Sequence, residues 1–225
     1  MKVFDTDRAF PKNNVTIFRP VSLYMRPLTD KAQQTRDRIL EAASMLFYQH
    51  GYNATGLEKV INAAGVTKGN FYYYFKSKEA LGVETLRWQG AKAAELLGFD
   101  RPLGDSTALE RLFELIEGIK QLVSSGEADS PIRGCYFGNF SLELSAASEV
   151  IRRELVGIFN NLQALFADLI SQAQAAGDVS AHIDPASTAA AILSQLEGAI
   201  ILSKASQDVS DIDAAIAFIR QYLTQ

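Results

Sequence analysis

The stretch spanning residues 57–78 constrains the fold more than any other part of the sequence. Apolar residues recur three or four positions apart from Leu57 to Ala64, which predicts a short helix with one buried face. Gly65 follows at the position where a left-handed residue ends such a helix, and Thr67 can cap a second one. Two short helices joined by so tight a turn predict a helix-turn-helix.

The second predicted helix, residues 68–74, is a candidate for insertion into the major groove of DNA. Side chains near its N-terminus can reach base edges and phosphates. Gly69 costs about 1 kcal/mol relative to alanine inside a helix, so we expect its backbone to approach another molecule closely. An ordinary helical hairpin with a tyrosine-rich core is the alternative interpretation. The predicted DNA contacts are Thr55, Thr67, Lys68, Gly69, Asn70, Tyr72, Tyr74 and Lys78.

These residues resemble the DNA-binding signature of the TetR family of bacterial transcriptional regulators. Residues 55–81 contain its small-residue-Gly-Val turn, a Thr-Lys-Gly start of the recognition helix, a tyrosine-rich helix and then Phe-Lys-Ser-Lys-Glu-Ala-Leu. The similarity runs without a gap from residue 35 to about residue 88. Tyr74 stands where the family often has histidine, and we still expect a phosphate contact there because tyrosine keeps a hydrogen-bonding tip. Thr55 can also form a capping box with Glu58.

The formal net charge of −4 is distributed unevenly along the chain. Residues 31–92 hold nine basic and five acidic side chains, whereas the residues after 92 hold eight basic and eighteen acidic ones. Phosphates attract the basic segment and repel the acidic one. We therefore expect only the N-terminal part of the chain to approach DNA.

Helical periodicity continues through the rest of the chain, so the predicted fold is all-α. Thr35 is the predicted cap of the first helix. Helices are expected at 35–51, 57–64, 68–74, 77–97, 107–125, 135–144, 148–176, 185–206 and 210–222. We divide the chain into a flexible N-terminal arm (1–30), a helix-turn-helix DNA-binding domain (31–76) and a ligand-binding and dimerisation domain (77–225).

The last two long predicted helices mix small with branched apolar residues. Small residues let helices approach closely, and an apolar surface wider than one stripe needs two partners. We therefore assign these helices a homodimer interface, which the family resemblance also implies, with simple intrachain packing as the alternative. The residues concerned are Ala186, Ala189, Ala190, Ala191, Ile192, Leu193, Leu196, Gly198, Ala199, Ile200, Ile201, Ala214, Ala215, Ile216, Ala217 and Ile219.

Residues 132–143 surround the only cysteine and form the candidate effector site. Cys135 is predicted just inside a helix N-terminus and follows Arg133 by two residues, and both features favour the thiolate. A buried, unreactive cysteine is the alternative. We expect the effector pocket between this stretch, the long helix 77–97 and the helix 107–125. The predicted ligand-binding residues are Phe113, Cys135, Tyr136, Phe137, Phe140, Glu197 and Lys204.

Cys135, Glu197 and Lys204 also carry a looser, second resemblance. The sequence Gly134-Cys135 followed by Gly138-Asn139, together with Glu197-Gly198-Ala199 and Lys204, resembles the TetR branch that responds to small electrophiles and unsaturated acids or aldehydes. In that branch the matching cysteine senses the effector or lines its pocket. Lys204 then supplies a cation for a ligand carboxylate or a partner for the thiolate. A weak ion pair with Glu197 at the rim is the alternative.

Other functional classes find little support in the sequence. Nucleophile-elbow, phosphate-loop and zinc-protease motifs are absent, so we expect no enzyme. His50 and His182 are isolated and a single cysteine permits no disulfide, so we expect no metal, no cofactor and a reducing cytoplasm. No signal peptide is evident, and the apolar run 189–202 is interrupted by Gln195 and Glu197, so we expect no membrane partner.

The sequence therefore predicts a repressor that binds double-stranded operator DNA as a homodimer. A small effector, with an electrophile as the candidate, is expected to release it. A DNA-binding protein that is independent of ligand, or controlled by a protein partner, is the alternative, and a large cavity would favour small-molecule control. Met25 is an alternative translation start to Met1; otherwise the N-terminal arm grips DNA through Arg19 and Arg26.

Overall fold

The computed structural model describes residues 29–124 and 130–225, and these residues form helices and loops without a strand. The all-α prediction is confirmed. The predictions for Met1, Met25, Arg19 and Arg26 lie outside the described residues. The helices are α1 Asp30–His50, α2 Leu57–Ala63, α3 Lys68–Tyr74, α4 Lys78–Leu97, α5 Ala108–Ser124, α6 Tyr136–Leu144, α7 Glu149–Ala176, α8 Pro185–Ser206 and α9 Ser210–Leu223.

Most helices begin at a side-chain cap. Ser77, Ser148 and Asp184 each accept a hydrogen bond from the backbone N–H three residues further on, which satisfies a donor that the helix leaves free. The first helix departs from the prediction, because Thr29 caps it and it begins at Asp30. Thr35 lies inside α1, where its hydroxyl donates to the Lys31 carbonyl at 2.9 Å.

Buried side chains form two hydrophobic clusters, which we call the head cluster and the body cluster. The head cluster combines α1 to α4 with residues such as Phe140 of α6 and Ile151 of α7. The body cluster combines α5, the second half of α7, α8 and α9. The predicted domain boundary between residues 76 and 77 falls inside the head cluster, because α4 contributes Leu81 and Leu86 to it.

Polar contacts fix α4, the connector between the two clusters, to its neighbours. Arg36 of α1 pairs with Glu84, and Arg87 bridges Glu84 at 2.9 Å and Glu154 of α7 at 2.7 Å. At the other end of the connector, the buried Arg111 guanidinium of α5 donates to the carbonyl of Gly98 at 2.6 Å and to that of the preceding residue. A cation at the C-terminus of a helix satisfies free carbonyls and the helix dipole together. The connector is thus held at both ends.

Helix α6 is tied to the loop between α1 and α2. The Glu143 carboxylate accepts hydrogen bonds from the backbone N–H groups of Tyr52 at 3.0 Å and Asn53 at 2.9 Å. Tyr52 also packs against Gly82 of α4, where any β-carbon would lie 2.9 Å from its ring. Helix α6 is therefore fixed directly to the head.

Helix α8 is long and apolar enough to cross a membrane by length and composition alone, and it is the one described helix that meets this test. Core helices of globular proteins often meet the same test. Here α8 packs between α7 and α9 and buries Ile192, Leu196 and Ile200 in the body cluster. Its composition is accounted for by that position together with the exposed apolar residues described below.

Candidate DNA-binding surface and ligand cavity

Helices α2 and α3 form the predicted helix-turn-helix. Helix α2 buries Val60 and Ile61, and α3 buries Phe71. Gly65 in the turn has φ +62°, a left-handed conformation that favours glycine. The Thr67 side chain caps α3 by accepting from the Asn70 N–H at 3.2 Å. The turn thus holds α3 against the head by one face and leaves its other face outward.

The outward face of α3 carries most of the predicted DNA contacts. Thr67, Lys68, Gly69 and Asn70 are exposed, and Tyr72 is 39% exposed. A β-carbon added at Gly69 would meet no atom within 4 Å. Packing within the chain therefore gives no reason for glycine at this position. A molecule that approaches the α3 backbone from outside would give one.

Tyr73, which was not predicted as a DNA contact, is at 66% the most exposed aromatic side chain of α3. The signal was available, because Phe71 and Phe75 are four residues apart and mark the buried face, which puts the residue midway between them outside. Tyr74 is half-buried, with its ring centre 4.9 Å from that of Tyr73. Lys78 is half-buried too, with its ammonium 4.2 Å from the Tyr52 ring centre, and desolvation lowers its pKa.

The assignment of Thr55 to the DNA surface is wrong. Its side chain is fully buried, and its hydroxyl lies 2.8 Å from the Gly51 carbonyl and 3.3 Å from the Leu46 carbonyl, to which it can donate. The predicted capping box with Glu58 is also not formed, because Gly56 occupies the cap position of α2 without a side-chain bond. The Thr55 hydroxyl is hydrogen-bonded to carbonyls at the end of α1 and therefore does not cap α2.

A largely apolar cavity of about 270 Å³ lies between the connector and the body. Helices α4, α5, α7 and α8 line it together with Tyr48 of α1 and the segment 134–137. The cavity lies where the sequence predicted an effector pocket. Among the described lining residues, Glu197 and Lys92 carry ionisable charged side chains. The sequence predicted that α4 borders the pocket but none of its residues was named, although Gln89, Ala93 and Leu97 recur every four residues on one helical face.

Cys135 lies in the cavity wall at the N-cap of α6, where its sulfur accepts from the Gly138 N–H at 3.4 Å. This hydrogen bond lowers the pKa of the thiol, but burial raises it more strongly, and the neighbouring Glu197 carboxyl raises it further. The pKa of Cys135 is therefore raised well above its usual value. Arg133, which was expected to stabilise the thiolate, instead donates to the Gln49 carbonyl at 3.3 Å. The surroundings of Cys135 therefore favour the protonated thiol over the expected thiolate.

Three other predicted ligand residues do not line the cavity. The Lys204 ammonium donates to Asn139 Oδ1 at 2.8 Å, and no ion pair joins it to Glu197 in the described residues. Phe113 is buried on another side of α5, with the Arg220 guanidinium 4.0 Å from its ring centre. Phe140 belongs to the head cluster. These assignments to the pocket are therefore wrong.

The remaining predicted ligand residues meet in the cavity wall. Cys135, Tyr136, Phe137 and Glu197 all line it. Burial raises the pKa of Tyr136 to about 12, and also raises the pKa of Glu197, whose carboxyl contacts the Cys135 thiol. The hydroxyl of Tyr48 donates to the Gly134 carbonyl at 2.8 Å, and burial raises its pKa to about 12. The tyrosine hydroxyls therefore stay protonated, and Glu197 is the acidic group of the cavity.

Comparison with known families covers both halves of the molecule. Residues 39–85 match the model of bacterial regulatory proteins of the tetR family, and residues 108–219 match the model of the tetracyclin repressor-like C-terminal domain. The first match contains the helix-turn-helix and the second contains most of the cavity wall. Together with the geometry of α2 and α3, they define a DNA-binding transcriptional regulator.

Individual relatives agree with these matches. The transcriptional regulator AcuR of Cereibacter sphaeroides is 30% identical over 192 residues, which cover 82% of this chain and 86% of AcuR. The transcriptional repressor DhaR of Mycobacterium sp. is 27% identical over 188 residues, with coverages of 84% and 91%. The crystal structure of reduced Escherichia coli NemR superposes with a TM-score of 0.75 at 25% identity, covering 85% of this chain and 98% of that one. The chain belongs to the TetR family, and these relatives are transcriptional regulators.

The raised pKa of Cys135 predicts slow alkylation of the folded protein. A raised pKa lowers the thiolate fraction at neutral pH, so iodoacetamide should react more slowly with the folded than with the urea-unfolded chain. Mass spectrometry of a time course measures this directly, because the chain has one cysteine.

Glu197→Gln removes the neighbouring negative charge and should speed the reaction of the folded protein. Glu95→Gln, at an exposed position of α4 outside the cavity, should leave the rate unchanged. Reaction of the folded wild type as fast as the unfolded chain would show that Cys135 is a reactive thiolate after all.

Proposed function

We propose that the chain is a repressor that binds operator DNA as a homodimer and leaves it when a small apolar effector fills the cavity. The position of the cavity against α4 carries the proposal. Helix α4 contributes Leu81 and Leu86 to the head cluster and, about two to three turns beyond Leu86, Ala93 and Leu97 to the cavity wall. Two recognition helices read successive major grooves only when they stand about 34–36 Å apart. A ligand that shifts α4 can therefore disturb both contacts at once.

The exposed face of α3 supports the assignment of DNA contacts. Lys68, Asn70 and Tyr72 stand outward near the helix N-terminus and are placed to enter a major groove. Tyr73 joins them because of its exposure. Thr67, Gly69, Tyr74 and Lys78 flank this surface and are proposed to meet the phosphate backbone through side-chain or main-chain groups.

Exposed apolar residues on α8 and α9 support the dimer. Ile201, Leu202, Phe218 and Tyr222 are between 44% and 59% exposed in the single chain. Gly198, on the same side of α8 as Ile201, has nothing within 4 Å of an added β-carbon, so another helix can approach its backbone closely. Apolar surface of this kind on two neighbouring helices fits pairing with a second copy.

Small-molecule control is favoured over ligand-independent binding because the cavity is present beside the connector. Its wall is apolar apart from Glu197, Lys92 and a few polar groups, as expected of a ligand site. Cys135 contributes to this wall as a protonated thiol. We therefore propose an effector that binds without covalent reaction, and the alkylation experiment above bears on that point.

A pair of variants separates DNA contact from folding at the head. Lys78→Ala should weaken binding to a duplex selected from a random pool and to unselected duplex alike, and should flatten the salt dependence by about one unit because one phosphate contact is lost. Thr55→Val replaces the buried hydroxyl with a methyl group of similar size. It should lower the free energy of unfolding by about 1 kcal/mol and leave the salt dependence of DNA binding unchanged. Anisotropy titrations and urea denaturation measure the two effects; a changed slope in Thr55→Val would restore Thr55 to the DNA surface.

The dimer interface is tested by a charge on α8. Ile201→Glu places a carboxylate in an apolar contact and should raise the dimer dissociation constant about a hundredfold or more, giving monomers in light scattering at micromolar concentration. Leu142→Glu, at a 74% exposed apolar position of α6, is the matched control and should remain dimeric. A monomeric wild type, or an Ile201→Glu variant that dimerises normally, contradicts the proposal.

A large side chain on α4 that occupies the cavity tests whether the cavity is the effector site. Ala93→Trp should weaken the binding of small phenylalkyl compounds about tenfold or more, and these compounds should no longer release the variant from DNA. Ala91→Trp, exposed on the same helix and outside the cavity wall, is the control and should respond as the wild type. Full release of Ala93→Trp by a compound that releases the wild type would show that the cavity is not the effector site.

A further inference from the structure

The cavity contains a carboxyl group, that of Glu197, for which residues 29–124 and 130–225 provide no ion-pair partner. The nearby cations are engaged elsewhere: the Lys204 ammonium binds Asn139 Oδ1 at 2.8 Å, and the Lys92 ammonium lies 4.4 Å from the Trp88 ring centre. The polar neighbour of the Glu197 carboxyl is the Cys135 thiol, which forms a hydrogen bond with it but carries no positive charge.

Gly138 of α6 leaves space for the Glu197 carboxyl. A β-carbon at Gly138 would lie 2.7 Å from Oε2 of Glu197 and 3.3 Å from Cβ of Cys135. Any other residue at position 138 would therefore push the carboxyl away from the helix. The glycine, which has an ordinary helical conformation and needs no backbone freedom here, makes room for an acidic group in the cavity wall.

A carboxylate that is partly removed from water without a counter-charge is costly, and burial accordingly raises the pKa of Glu197. The cost can be relieved by a proton or by a cation from outside the chain. The aromatic rings in the wall favour a cation from outside the chain. Tyr48, Tyr136 and Phe137 line the same cavity, and the face of an aromatic ring attracts a cation. The rings of Tyr136 and Phe137 have centres 5.8 Å apart.

We propose that the cavity binds a lipophilic monocation, an apolar molecule with one protonated amine whose ammonium pairs with Glu197. The inference rests on the proposed function, because it names the class of effector for the same cavity. The apolar part lies between α4 and α7, against Ala93, Leu97 and Phe159. A cavity of about 270 Å³ is at the small end of ligand sites, so a compound with one ring and a short chain fits it.

The same geometry disfavours an anionic effector. A ligand carboxylate beside Glu197 would place two negative charges together in surroundings that screen them poorly. Lys204, which the sequence offered as its counter-ion, does not line the cavity. The unsaturated acids suggested by the looser family resemblance are therefore expected to bind less well than amines of the same shape.

A charge series tests the proposal on the full-length protein. Phenylbutylamine, phenylbutanol and phenylbutanoate share one apolar frame and differ in charge at neutral pH. Isothermal titration calorimetry should give a dissociation constant for the amine that is about tenfold or more below that of the alcohol, with the carboxylate binding weakest. Glu197→Gln should reduce the preference for the amine over the alcohol to less than about threefold, while Glu95→Gln should keep it. Thermal unfolding of each variant confirms that it is folded.

Release from DNA is measured separately, by displacement of a selected duplex, and each variant is compared with its own ligand-free affinity. Amine binding that depends on Glu197 but leaves the DNA bound would support the ligand class and overturn the proposed release. Release by the alcohol and the carboxylate as readily as by the amine would support the proposed function and overturn the ligand class. The proposed ligand class would also be overturned if none of the three compounds bound at millimolar concentration. An amine preference that survives in Glu197→Gln would overturn it as well.

Discussion

One helix has to satisfy two hydrophobic clusters at once, and the rest of the structure depends on that constraint. Helix α4 buries Leu81 and Leu86 among the side chains of the head and packs Leu97 against the body. The buried Arg111 guanidinium then fixes the end of α4 to α5. Packed interiors transmit strain, and the proposed release of DNA by a ligand in the cavity rests on this connection through α4.

The helices could be predicted from the sequence because their signals are local. Apolar spacing and caps such as Ser77, Ser148 and Asp184 lie within one turn of the boundaries they set, and the structure places those boundaries where expected. The first helix was predicted too short, since Thr29 and Thr35 are both plausible caps and only the fold decides between them. The tight turn at Gly65 was equally local, and so was the family signature around it.

The site was predicted less well because its chemistry depends on residues distant in sequence. The sequence puts Cys135 beside Arg133, but the fold puts it beside Glu197 and turns Arg133 toward α1. Phe113 and Phe140 lie on helices that border the cavity, but on faces that point away from it, and sequence does not reveal how each helix is rotated about its axis. Thr55 failed for a related reason, because a hydroxyl binds whichever carbonyl tertiary packing brings to it.

Trp88 gives the connector a property of another kind. It is the only tryptophan of the chain, and its indole ring packs against the head cluster with the Lys92 ammonium above it. The next residue, Gln89, lines the cavity. All tryptophan fluorescence of the protein therefore comes from one position between the recognition helix and the cavity. Because indole emission responds to nearby charge and water, it can report directly on a change at the connector.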